Sequence, residues 1–93
     1  MKDYSKPAAD EIEEIVRLSM LYDFYGPLLT DRNRQIFEDY IVNDMSLSEI
    51  ADDIGITRQG VRDSIKRSEK ALSHYEDKLQ LVARFADSID KKN

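Results

Sequence analysis

The sequence predicts an all-α fold: a small helical domain carrying a helix-turn-helix and ending in a long C-terminal helix. Three observations predict it. Residues Ser46 to Arg67 read position by position as two short helices joined at Gly55. Ahead of them, Ile12, Ile15, Val16, Leu18, Met20, Leu21, Tyr22, Phe24 and Tyr25 recur at helical spacing. Behind them, Val61, Ile65, Ser68, Leu72, Tyr75, Leu79, Val82, Ala86 and Ile89 step by alternating fours and threes, the spacing of a seam that faces another helix.

Residues 1–8 are polar with one proline and are expected to form a frayed arm, leaving 9–93 as the helical domain. The first helix is expected from Ala9 to Tyr25. Its second half is apolar nearly all round, so it should be buried on more than one side. Gly26-Pro27 ends it, since glycine takes the C-terminal turn and proline cannot continue the ladder. Thr30 then caps a second helix, about Asp31 to Val42, with Asp31 at the positive end of its dipole and Ile36, Phe37, Tyr40 and Ile41 on its apolar face. Asn43-Asp44 breaks it.

Ser46-x-x-Glu49 is a capping box that opens the third helix. Leu47, Ile50 and Ile54 mark its inner face, and small Ala51 lets another helix cross closely. Gly55 supplies a left-handed turn. Thr57 caps the fourth helix, whose Val61 and Ile65 fall back onto the third. The helix-turn-helix therefore covers about 46–68. Beyond Gly60 the chain has neither glycine nor proline, so nothing local stops the fourth helix. Unbroken from Thr57 to Lys91 it would measure about 50 Å. A break near Ser73-His74, with the tail folded back on the first helix, is the compact alternative.

Ninety-three residues provide a core near the lower limit of independent folding, so association can be part of the stability. The absence of cysteine excludes disulfides, thiolate metal sites and cysteine nucleophiles. The first residues lack the apolar run of a signal peptide and no segment has the length of a membrane span, which predicts a soluble cytoplasmic protein without membrane contact. The net charge of -5 opposes a polyanionic partner, but its distribution is uneven. Between Thr57 and Leu72 five basic residues face two acidic ones, giving a local +3 and leaving -8 for the rest.

The outer face of the fourth helix carries the candidate nucleic-acid contacts. Arg58, Gln59 and Arg62 are placed to read base edges, arginine pairing with guanine and glutamine with adenine, while Lys66, Arg67 and Lys70 are placed to meet phosphates. An ordinary solvated helix face is the plain alternative. Leu72, Tyr75, Leu79 and Val82 lie beyond what the helix-turn-helix can cover and are the candidate oligomer interface, to pack on the first helix or on another copy in a homodimer. The aromatic run Leu21 to Leu29 reads as core packing or as a docking surface. His74 has no partner at ligand spacing, and Glu49, Asp52 and Asp53 have no nucleophile beside them, so the sequence offers no metal site, no cofactor site and no catalytic residue.

The segments Leu21-Tyr22-Asp23-Phe24-Tyr25-Gly26-Pro27-Leu28-Leu29-Thr30, Ser46 to Ala51, Arg58 to Arg67 and Tyr75 to Leu79 together resemble the YlxM-like family, a bacterial helix-turn-helix family of the sigma-factor region-four type, itself winged-helix-like. The resemblance covers about Leu18 to Leu81. It implies a bacterial cytoplasmic helical protein, and a link to the signal recognition particle pathway that rests on the family's genes lying beside those for the particle's GTPase and its receptor. Arg58, Gln59, Arg62 and Lys66 carry over as contacts by motif position. Two functional readings follow: a regulatory DNA-binding protein connected with that pathway, with the particle's protein or RNA as a partner, or an interaction module that keeps the fold without sequence-specific DNA binding and binds protein or structured RNA through the same helix.

Overall fold

A computed structural model describes residues 9–91, with side chains for 12–89. The expected arm at 1–8 lies outside the described residues. Five α-helices follow in order: α1 (Ala9–Tyr25), α2 (Asp31–Ile41), α3 (Leu47–Ile54), α4 (Arg58–Leu79) and α5 (Leu81–Lys91), with a short 3₁₀ turn at Gly26–Leu28. Among the described residues there is no strand.

The local signals for the first four helices act where the sequence puts them. At Gly26 an added Cβ would lie 2.9 Å from the Tyr22 ring, so the chain can turn under that ring only without a side chain. Thr30 Oγ1 accepts from the Asn33 N–H at 3.2 Å and caps α2. Asp44, at φ 57, turns the chain out of α2 while the Met45 N–H donates to the Asp39 carbonyl at 2.9 Å. Both bonds of the capping box form: the Glu49 N–H donates to Ser46 Oγ at 3.1 Å and the Ser46 N–H to Glu49 Oε1 at 2.8 Å.

The core is built from Leu18, Leu21, Tyr22 and Tyr25 of α1, Leu29, Ile36 and Phe37 from α2 and its approach, Leu47, Ile50 and Ala51 of α3, and Val61, Ile65 and Leu72 of α4. Each large side chain fully buried here contributes about 1.5–3 kcal/mol of transfer free energy. Tyr22 stacks on Phe37 with ring centres 5.7 Å apart, and its hydroxyl donates to Glu38 Oε1 at 2.6 Å, bracing α1 against α2. Small residues on α4 admit its neighbours closely. Ser64 Oγ donates to Asn33 Oδ1 at 2.7 Å, fastening α4 to α2, whereas buried Ser68 Oγ has no partner among the described residues.

The long fourth helix is neither unbroken nor interrupted near Ser73-His74. Ser73 and His74 sit inside α4, which continues to Leu79; the chain then turns at Gln80, in the left-handed conformation at φ 53. A distant residue and a near one meet there. Tyr25 Oη accepts from the Leu81 N–H at 2.9 Å, and the Glu76 carboxylate accepts from the N–H groups of Val82 and Ala83, both at 3.1 Å. The first three amide donors of α5 are thus satisfied by a tyrosine from α1 and a glutamate one turn back in α4, which makes a new helix start cheap at this point. The tail does fold onto α1: the rings of Phe24 and Phe85 meet edge to face at 5.6 Å.

Candidate nucleic-acid interface

The helix-turn-helix is made by α3, a tight turn and the first half of α4. Gly55 closes α3 at φ 74, a conformation that a Cβ would strain, and its N–H and that of Ile56 both donate to the Ala51 carbonyl, at 2.9 and 3.1 Å. Thr57 Oγ1 then accepts from the Gly60 N–H at 2.9 Å and opens α4. Val61 is fully buried and Ile65 nearly so, both on the side of α4 that meets the core. That inner packing fixes the rotation of α4 about its axis and thereby decides which residues face outward.

Facing outward and exposed are Arg58, Gln59, Lys66, Arg67 and Lys70, with Arg62 half-buried at the edge of the same face. The six candidate contacts are spread over the solvent-facing half of α4, with Arg58 and Arg67 at its opposite edges. The structure adds two features to it. Asp63 is exposed on the same face, and Gln59 Nε2 donates to its Oδ1 at 2.9 Å. Arg17 of α1 reaches across to α4, where its Nη2 donates to Ser73 Oγ at 3.0 Å while its Nη1 bridges to Glu14 at 3.2 Å. The first was foreshadowed by the four-residue spacing of Gln59 and Asp63. The second had no sequence signal, because Arg17 and Ser73 are 56 residues apart.

Between α1 and α4 these side chains border an open groove of about 860 Å³, walled by Arg17, Lys66, Arg67, Lys70 and His74 and also by Glu14, Asp63, Glu69 and Asp77. It is a mixed-charge surface rather than a purely basic one. Burial pushes the Glu69 carboxyl above the ordinary carboxylate value, and the neighbouring Glu14 carboxylate adds to the effect. No group of three or more acidic or histidine side chains among the described residues is arranged to hold a metal ion. Nor is any described helix long and apolar enough to cross a membrane.

The four positions expected at an oligomer interface separate. Leu72 is fully buried in the chain's own core, Tyr75 packs against the ring of Tyr25 at 6.0 Å, and Val82 is half-buried on the same core. Leu79 is 45% exposed. The seam is filled mainly by α1. Apolar surface remains elsewhere, on Ile12, Ile15 and Val16 of α1 and on Leu81, Phe85 and Ile89 of α5.

Residues 12–92 match the model of a family described as "Putative helix-turn-helix protein, YlxM / p13 like". The chain is 48% identical over 79 residues to a UPF0122 protein of Thermoanaerobacter sp. (strain X514), an alignment covering 85% of this chain and 68% of that one. It is 47% identical over 72 residues to a UPF0122 protein of Symbiobacterium thermophilum, covering 77% and 67%. A third relative, a UPF0122 protein of Lactococcus lactis subsp. cremoris (strain MG1363), is 47% identical over 75 residues, covering 81% and 68%. With an all-helical fold, a capped helix-turn-helix and a family match across nearly its whole length, the chain belongs to the UPF0122 family of YlxM / p13-like helix-turn-helix proteins.

Proposed function

We propose that this protein is a non-enzymatic cytoplasmic regulator that binds DNA through the outer face of α4 and works as a homodimer. One observation carries the reading: Arg58, Gln59, Arg62, Lys66, Arg67 and Lys70 lie on the solvent-facing half of α4, whose reverse side is locked into the core. In this geometry the N-terminal turns of the second motif helix enter the major groove, so Arg58, Gln59 and Arg62 read bases while Lys66, Arg67 and Lys70 meet phosphates. Arg17 extends the phosphate-contacting strip onto α1. The apolar residues left exposed on α1 and α5 supply the surface for a second copy, and a two-fold dimer would present two α4 helices to successive half-sites. The test is fluorescence anisotropy of duplex fragments against salt concentration, where binding should fall steeply with salt and differ between sequences.

The acidic wall of the groove favours a second reading. Glu14, Glu69 and Asp77 beside Lys66, Arg67 and Lys70 make a surface that suits a partner presenting both cations and phosphates, as a ribonucleoprotein does. On this reading the protein contacts the signal recognition particle, through its protein or its RNA, and keeps the helix-turn-helix fold for that purpose. Calorimetry with the purified particle protein, its RNA and the assembled particle tests it. Binding that is weakened by reversing Lys66 and Arg67 to glutamate supports the reading, and no heat with any of the three removes it.

A further inference from the structure

Gln59 and Asp63 stand one helical turn apart in the exposed N-terminal half of α4, joined by the 2.9 Å bond from Gln59 Nε2 to Asp63 Oδ1. A carboxylate can only accept, so this bond settles which end of the glutamine amide meets it: the nitrogen turns toward Asp63, and the carbonyl Oε1 turns away. Gln59 Oε1 and the remaining carboxylate valences then form a column of acceptors. Arg58 and Arg62, also one turn apart and displaced by one residue around the helix, form a column of donors beside it. Both columns lie in the first two turns, the part of such a helix that reaches base edges.

We infer that Asp63 is a specificity-determining residue of this interface, and that the Gln59–Asp63 column receives the N4 amino group of a cytosine next to a guanine held by Arg58 or Arg62. The inference rests on the DNA reading above and names the target chemistry for it. In the major groove guanine offers the acceptors N7 and O6, and thymine offers O4 and a methyl group, so neither presents a donor to a carboxylate. Adenine sets its N7 acceptor directly beside its amino group and would oppose the second acceptor. A paired cytosine exposes one N4–H with the partner guanine's O6 on one side and only the C5–H on the other, so a second acceptor can sit over the C5 edge unopposed. Away from such a base, Asp63 places a negative charge amid Lys66, Lys70 and the phosphates they would meet, so it weakens binding to arbitrary duplex. The interface thereby trades general affinity for discrimination.

The test is selection from a randomised duplex pool at about 50 mM salt, carried out with the wild-type chain and with Asp63→Ala, each verified as folded by its thermal melt. Asp63 is exposed and makes no core contact, so the variant keeps the fold. The expected result is a wild-type site with one position where cytosine is favoured by roughly tenfold or more, adjacent to a guanine. Asp63→Ala should flatten that position alone and bind arbitrary duplex more tightly. A variant that keeps the wild-type preference at every position, or that gains affinity for all sequences with the preference unchanged, overturns the inference. Recovery of no duplex by the wild type overturns the DNA reading and this inference with it, and is told apart by appearing before any variant is made.

Discussion

The hydroxyl of Tyr25 donates to Glu76 Oε1 at 2.6 Å across 51 residues of sequence, and the same pair caps the first three amides of α5. Tyr25 is fully buried, so its polar tip must find partners inside the fold. It does so by donating to a carboxylate and accepting from Leu81. Burial raises the tyrosine above its ordinary value of 10.0, and the hydrogen bond to Glu76 adds to this. Burial alone would also raise Glu76, but the hydrogen bonds from Tyr25, Val82 and Ala83 together outweigh it and hold that carboxyl below its ordinary 4.5.

Tyr25→Phe should therefore do more than remove one hydrogen bond. It strips the Leu81 N–H of its acceptor and leaves the half-buried Glu76 Oε1 with the Val82 N–H as its donor, a loss of about 1–3 kcal/mol. The expected readout is a lower denaturation midpoint together with faster hydrogen exchange in α5 than in α2 or α3. Unchanged exchange at Leu81 to Ala83 would show that the capping does not hold α5.

Acid should loosen the same junction. Because the folded-state value of Glu76 is depressed, its contribution to stability is complete above pH about 4.5 and is lost as the pH falls through the lower folded-state value. In Glu76→Gln that part of the pH dependence should vanish, so the two stability curves converge at low pH and separate above it. Urea titrations at a series of pH values from 2 to 7, a range of about five units chosen to span both values, measure the difference.

Ser68→Ala is expected to stabilise the protein or leave it unchanged. The Ser68 hydroxyl is buried without a partner among the described residues, so its removal relieves a desolvation cost, and alanine is the better helix former. A gain of up to about 1 kcal/mol is expected in chemical denaturation. Leu72→Ala at the next inner position is the contrasting case, with an expected loss of about 2–5 kcal/mol.

At the interface, Arg58→Ala and Arg62→Ala should each cost about 1–3 kcal/mol on the preferred duplex and relax its sequence preference. Lys70→Ala and Arg17→Ala should weaken all duplexes alike and each lower the salt slope by about one. Arg17 gives the sharper result, because it lies outside the helix-turn-helix. If its replacement leaves both affinity and slope untouched, the strip ends on α4.

Association should be governed by α1 and α5 rather than by the seam residues that the chain has already covered. Ile89→Glu places a charge on the exposed apolar stripe of α5, away from the Phe24–Phe85 contact, and should give a folded monomer by light scattering, with helicity retained. Leu79→Glu should act in the same direction, since Leu79 is also exposed. A wild-type chain that stays monomeric at high micromolar concentration would refute the dimer.

The sequence by itself determined every helix end governed by a local group. Thr30, Ser46 with Glu49, Gly55 and Thr57 act within three or four residues of their own backbone, so their effect is independent of the rest of the fold. It also determined the outer face of α4, because the inner face is fixed by helical spacing of Val61, Ile65 and Leu72. Tertiary structure took part in deciding where α4 stops, since Tyr25, 56 residues from Leu81, caps α5 together with the nearer Glu76. It alone brought Arg17 to Ser73, and it alone set Tyr75 against Tyr25 of α1 and Val82 against the core while leaving Ile89 exposed. An apolar seam states that a helix must be covered; which helix covers it depends on how the chain folds back, a matter of packing between residues far apart in sequence.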